Sequence, residues 1–194
     1  NVVLPGLYCV TSLLHITFMA IHKIARMGHP VLREPAEQVI NPTAPRVQEL
    51  IRNMVETMRD ADGTGLAAPQ IHVPLRVVVF FVSYDANEEN TDEKDIPLTV
   101  LINPTIEPLS NEKKLGWEGC LSLPSLIGKV PRYTEIRYRA TAPDGSQIDC
   151  IAKDFHARVV QHECDHLDGI LYPQRMEDLS LLMFRDEMRY GTPE

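Results

Sequence analysis

The run Gln161-His162-Glu163-Cys164-Asp165-His166 imposes a helix on its part of the chain. Two histidines four positions apart lie one turn apart on a single helix face, where both imidazoles can bind one metal ion. The glutamate beside the first histidine then sits next to the metal's open position, where it can take a proton from water. A solvated helix face carrying two histidines has the same spacing. If a catalytic metal is held, the fold must bring a third protein donor to this face and leave one position open. Downstream of His166 there is no further histidine, and Glu177, Glu187 and Glu194 lie in no ligand pattern. Cys120 is the better candidate. Its neighbour Gly119 permits close backbone approach, the segment reads as a strand edge or tight turn, and a thiolate is a soft ligand. The other reading of Cys120 is an inert, buried core cysteine.

Two further segments bear on the choice. Gly63-Thr64-Gly65-Leu66-Ala67-Ala68-Pro69-Gln70 lies upstream, and Glu118-Gly119-Cys120-Leu121-Ser122 lies between it and the helix. With residues 161–169 they resemble the three signature motifs of peptide deformylase, in the same order. The resemblance spans about residues 20 to 175.

The resemblance implies Cys120, His162 and His166 as ligands of ferrous iron, with zinc, nickel or cobalt able to replace it. The ligand set alone does not separate these metals, because zinc also accepts Cys and His. An iron–thiolate site is expected to be oxygen-sensitive, since both partners oxidise. The implied reaction removes the formyl group from an N-formylmethionyl peptide as formate. Glu163 would act as general base and return the proton to the leaving amine. Charge developing on the formyl oxygen would be met by the metal, the Gln70 side-chain amide and the Leu121 backbone N–H. Thr64 and Gly65 are expected to contact substrate. A nascent-chain substrate, bacterial or organellar, implies an encounter with the ribosome exit region, and a bacterial cytoplasmic setting is expected ahead of organellar targeting. Arg175, Arg185 and Arg189 on an expected C-terminal helix are the candidate contacts, or equally a solvated face.

Phe155, Arg158 and Val159 precede His162 by seven, four and three positions and share its face. Phe155 and Val159 either line an apolar slot for a methionine side chain or are ordinary core. Arg158 departs from the apolar residue expected in the family; its stem can cover the pocket with its head in water. Where the family commonly has Gly, this chain has His72, expected in an exposed turn before Pro74. Ile127 replaces an arginine that some members place against substrate backbone, so contacts there are expected to be more apolar. Arg132 matches the family and is expected to support the site through Asp165 or Glu118, a surface position being the alternative.

A chain of 194 residues is long enough for one sizeable core. Its 44% hydrophobic and 24% charged residues are ordinary for a globular protein. A net charge of −8 argues against a broad nucleic-acid surface, and no sequence-specific nucleic-acid partner is expected. Cysteines at 9, 120, 150 and 164 form no paired framework, which suits a reducing compartment. Cys164 falls on another face of the metal helix and is expected to pack inside. Residues 1–21 contain no Asp, Glu, Lys or Arg but are too mixed for a signal peptide or a membrane span. The family's usual beginning corresponds to Met19. Residues 1–18 are therefore expected to be an extension, with a targeting segment as the alternative, and residues 19–194 one catalytic domain.

Val47, Leu50, Ile51, Met54, Val55 and Met58 repeat at helical spacing, with Asn41 or Thr43 as cap and Gly63 near the end. Residues 76–82 read as a buried strand, 84–97 as a polar, mobile loop, and 99–103 as a strand followed by turns at Pro104 and Pro108. Residues 134–141 and 147–153 form a hairpin around Pro143-Asp144-Gly145. Asp154 is expected to cap the metal helix, which ends at Gly169. Residues 177–190 read as a shorter helix. The sum is an α+β fold: small mixed or antiparallel sheets around a central metal-binding helix, with an N-terminal amphipathic helix and a C-terminal helix. A His-Glu-x-x-His metallopeptidase and a metal-stapled interaction module are the rival readings. Cys120 and the Gln70 motif speak against the first, and the lack of a convincing fourth ligand against the second.

Overall fold

The computed structural model describes residues 20–83 and 95–192. The expected extension over 1–18, and residues 84–94 of the loop expected over 84–97, lie outside the described residues, while Ile96 and Pro97 of that loop begin a strand instead. Among the described residues two α-helices, α1 (Pro45–Asp60) and α2 (Asp154–Leu167), accompany eight strands. The strands are β1 (Gly65–Ala67), β2 (Val77–Val82), β3 (Ile96–Pro108), β4 (Lys113–Cys120), β5 (Leu123–Tyr133), β6 (Glu135–Thr141), β7 (Gln147–Lys153) and β8 (Leu182–Phe184). One sheet has the order β1-β2-β3-β6-β7 and the other β4-β5-β8. Every strand pairing in both is antiparallel.

The uninterrupted apolar run of β2 explains how the layers stack. Val78, Phe80 and Val82 pack with Ala157, Val160, Cys164 and Leu167 of α2. Val77 and Val79 point the other way, to Ile51, Met54 and Met58 of α1. A strand buried on both faces has no polar alternation, so its sequence reads as a continuous hydrophobic segment. Each side chain fully buried here contributes about 1.5–3 kcal/mol.

Several local expectations are corrected. Neither Asn41 nor Thr43 caps α1: Ala44 is the N-cap with Pro45 behind it, and Asn41 Oδ1 instead accepts from Thr43 N–H. At the other end Asp62, not Gly63, adopts the left-handed conformation, and Gly63 N–H reaches Met58 O at 2.9 Å. Gly63 is needed for space, since a β-carbon there would meet Leu121 Cδ1 at 2.7 Å. β3 runs from Ile96 straight through Pro104 instead of turning there. A register shift between Ile102 and Thr105 absorbs the proline, which has no N–H to give the ladder. Asp154 makes no side-chain cap; it is the first residue of α2, after Lys153. α2 does end as expected: Gly169 is left-handed, and Ile170 N–H closes on Asp165 O at 2.9 Å.

The expected C-terminal helix is absent. Leu182–Phe184 is strand β8 on the open edge of β5, flanked by short 3-10 turns at Leu179–Leu181 and Arg185–Tyr190. Pairing with an exposed strand edge satisfies backbone groups that a short, half-exposed helix would leave to water. No helix among the described residues is long and apolar enough to cross a membrane.

Candidate metal centre and cleft

α2 presents His162 and His166, and the end of β4 presents Cys120. Their ligand atoms all lie within 4.8 Å of one another, the one such group of donors among the described residues. Cys120 Sγ is 3.3 Å from His166 Nε2. A register shift between Gly119 and Cys120 interrupts the β4–β5 ladder, and Cys120, paired with Leu123, is the last residue of β4. Burial opposes ionisation of Cys120, but the charge of His166 and a hydrogen bond from His162 outweigh it and hold the thiol well below its ordinary value. Burial likewise works against the His162 imidazolium, while hydrogen bonds to Cys120 and Glu118 raise its pKa well above the usual range. A divalent ion held by this ring would have to displace its proton.

The donors fit a divalent transition metal: one thiolate and two imidazoles, with a carboxyl beside them that is not part of the set. That carboxyl is Glu163. Burial pushes it up to about 7 against the pull of His162 and His166, and Oε2 has no hydrogen-bond partner among the described residues. Gly65 makes room for it, since a β-carbon on Gly65 would collide with the Glu163 carboxyl. His162 Nδ1 lies 2.9 Å from Glu118 Oε2, an arrangement that turns the other ring nitrogen towards a metal. Arg132 grips both Glu118 oxygens, at 2.9 and 3.0 Å, and also donates to Asp165. Thus Arg132 supports the site through both acids named for it. Burial raises the Glu118 pKa, but His162 and Arg132 prevail and bring it down to about 2.

Gln70 is fixed at the opposite end of its motif. Its Oε1 accepts from Ala67 N–H at 2.8 Å, which leaves Nε2 to donate to Ser122 Oγ at 3.2 Å and towards Cys120 Sγ at 3.6 Å. The segment before it ties both motifs together: Ala25 N–H donates to Gln70 O and Met27 N–H to Ser122 O. A cleft of about 620 Å³ opens here, and Thr64, Gly65, Gln70, Leu121, Phe155, Arg158, Val159 and Glu163 all line it. Phe155 is 43% exposed, Val159 only 7%.

Three departures from the sequence reading matter. The Arg158 head does not sit in water; it donates to the Lys114, Gly116 and Val130 carbonyls and to Glu118 Oε1 at 2.8 Å. Ile127 is buried at 3% and does not line the cleft. Arg185 does line it, as do Trp117 and Leu126. Nothing local in the sequence marks Arg185, because only the β5–β8 pairing brings it there. His72 is exposed as expected and holds the left-handed conformation that suits the family's glycine. Cys164 is buried in the core, and burial pushes its thiol up.

Comparison with known proteins agrees with this geometry. The family model for polypeptide deformylase matches residues 21–181. Peptide deformylase 2 of Ralstonia nicotianae is 52% identical over 166 residues, 86% of this chain and 93% of that protein. Peptide deformylase 1 of Nitrosomonas europaea is 46% identical over 88% of this chain and 96% of its own length. The Met-Ala-Ser-bound class I type b peptide deformylase from Acinetobacter baumannii superposes with a TM-score of 0.75 at 31% identity. The match covers 82% of this chain and 100% of that one. The actinonin complex of a peptide deformylase from Synechococcus elongatus gives 0.69 at 33% identity, covering 87% and 82%. With the motifs, the fold and these relatives in agreement, the chain belongs to the peptide deformylase family, metal-dependent hydrolases that remove the N-formyl group from nascent polypeptides.

Proposed function

We propose that Cys120, His162 and His166 hold one ferrous ion and that Glu163 moves the proton in formyl hydrolysis. The observation that carries this reading is the buried Glu163 carboxyl, which lines the cleft beside the three donors with one oxygen unpartnered among the described residues. A divalent cation bound there supplies Lewis acidity that brings the pKa of water towards neutrality and polarises the formyl oxygen. Glu163, near 7 before metal binds, takes the proton from the attacking water and gives it to the leaving amine. Gln70 Nε2, aimed by the Ala67 N–H bond, and the Leu121 backbone N–H meet the charge on the formyl oxygen. Glu118, braced by Arg132 and Arg158, keeps the His162 ring in its binding orientation.

The methionine side chain enters beside Phe155 and Val159, with the Arg158 stem alongside and Thr64 and Gly65 contacting the peptide backbone. The presence of all five in the cleft lining supports this. The Met-Ala-Ser complex of the Acinetobacter relative supports a peptide end in the same cleft. Iron is favoured by the family resemblance; zinc, nickel or cobalt suit the same donors. A cytoplasmic setting is supported by the bacterial relatives. The nascent substrate supports an encounter near the ribosome exit, but the arginines named for it do not share one face. Arg175 bonds Asp165, Arg185 lies in the cleft, and Arg189 stacks on Tyr190.

Metal content and turnover measured together test these roles. Glu163→Ala and Gln70→Ala should each retain about one equivalent of metal. Turnover should fall about 10²–10⁴-fold for Glu163→Ala and about 10²–10³-fold for Gln70→Ala. Cys120→Ala should fail to retain metal. Full turnover in either of the first two variants, or full metal in the third, would remove that residue from its role.

A further inference from the structure

The C-terminal segment turns into the cleft. β8 lies on β5 through Leu126↔Phe184 and Ile127↔Met183, and the chain then bends at Arg185. The Arg185 side chain crosses β5 and reaches Gly119 on β4, the residue before Cys120. A β-carbon on Gly119 would lie 2.7 Å from Arg185 Nη2. The bare backbone of Gly119 is thus what admits the guanidinium to the cleft wall.

The other arginines around the centre are engaged internally. Arg132 holds Glu118 and Asp165, Arg158 holds Glu118, and Arg175 holds Asp165. Arg185 is exposed and forms no ion pair or hydrogen bond with any of the described residues. Ile127 on β5 is buried and apolar, and Arg158, the other arginine of the cleft lining, is held by Glu118. A planar fork of five donors with no internal acceptor, on the wall of a cleft that takes a peptide, matches a carboxylate bidentately. A strand-like chain advances about 3.3 Å per residue. A substrate that reacts beside Cys120 and runs along β4 carries its next residues past Gly119.

We propose that Arg185 is a specificity-determining residue that recognises a carboxylate side chain at the second or third position of the formylmethionyl chain. The proposal rests on the deformylase reading and adds a sequence preference to it. It is tested with C-terminally amidated formyl-methionyl tripeptides bearing Glu, Gln or Lys at position two, then at position three. The readout is the ratio of kcat/KM between charged and Gln peptides within each protein. Wild type should favour Glu over Gln about three- to fivefold at one of the two positions, through KM, and should disfavour Lys. The ratio should shrink at high salt. Arg185→Gln should bring it to about one, Arg185→Lys should keep part of it, and Arg185→Glu should invert it towards Lys. Should Arg185→Gln turn over no peptide, the Lys and Glu variants decide. Equal turnover of all peptides by wild type, or an unchanged ratio in the variants, would overturn the proposal. So would a preference seen only with free-acid C-termini, which would mean recognition of the chain end. Failure of metallated wild type to release formate from the Gln peptide would instead sink the deformylase reading.

Discussion

Gly65 and Glu163 come from motifs nearly a hundred residues apart, yet they share one space. The buried carboxyl occupies the volume a Gly65 side chain would take, so Gly65→Ala should displace it without touching a metal donor. Metal content should stay near one equivalent while kcat falls about 10²-fold or more, within the range for loss of a general base. Unchanged kcat would show that the carboxyl tolerates the shift. His72 gives a stability prediction. A left-handed side-chain-bearing residue costs about 1–2 kcal/mol, and glycine returns about 0.5–1 kcal/mol of that through chain entropy. His72→Gly should therefore stabilise the fold by about 0.5–1 kcal/mol in urea melts. Destabilisation would mean that the edge-on contact with His29, 4.7 Å between ring centres, outweighs the strain. That Cys120, His162, His166, Glu163 and Gln70 would come together was legible, the histidines and Glu163 from their spacing on one helix and Cys120 and Gln70 from the family resemblance. Arg185 was not, because its place depends on a strand pairing formed with a segment about sixty residues earlier.

Among the elements, α1 was readable from its helical periodicity, β2 from its continuous apolar run, and α2 from the His-Glu-x-x-His spacing with Gly169 at its end. The C-terminal segment misled because Leu181, Leu182, Phe184 and Met188 fit helical spacing as well as a short strand with flanking turns. The open edge of β5, a tertiary feature, decided between them. The β4–β5 hairpin depends on Arg158 in a way its sequence position did not suggest. Its guanidinium joins three backbone carbonyls of the hairpin to Glu118, and Glu118 orients His162. Arg158→Leu restores an apolar residue facing the cleft but removes that brace. Metal affinity, measured by chelator competition, should weaken about 10–100-fold. Wild-type affinity would show that Arg132 alone suffices to hold Glu118.

At the scale of the molecule, the buried ionisable groups link stability to pH and to metal. The Glu118 carboxyl titrates near 2 in the fold against an ordinary value of 4.5. Its stabilisation is therefore fully present above 4.5 and is lost as pH falls from there through 2. Glu163 has the opposite sign, with a folded value of about 7 against 4.5. Its contribution is present below 4.5 and is lost as pH rises through 7. The thermal midpoint of metal-free wild type should therefore drop more between pH 5 and pH 8 than that of metal-free Glu163→Gln. Equal drops in the two proteins would mean that the Glu163 carboxyl is not held protonated by burial. The α+β class was legible as a whole because helices and strands segregate along the chain, whereas the assignment of strands to two separate antiparallel sheets follows from long-range pairing.

The most direct test is formate release by protein purified without oxygen and loaded with ferrous iron. A short formyl-methionyl peptide, its acetylated counterpart and the Glu163→Ala protein are compared side by side. Fast release is expected from the formyl peptide alone, reduced about 10²–10⁴-fold in the variant. No release from fully metallated wild type, or cleavage of internal peptide bonds in its place, would contradict it.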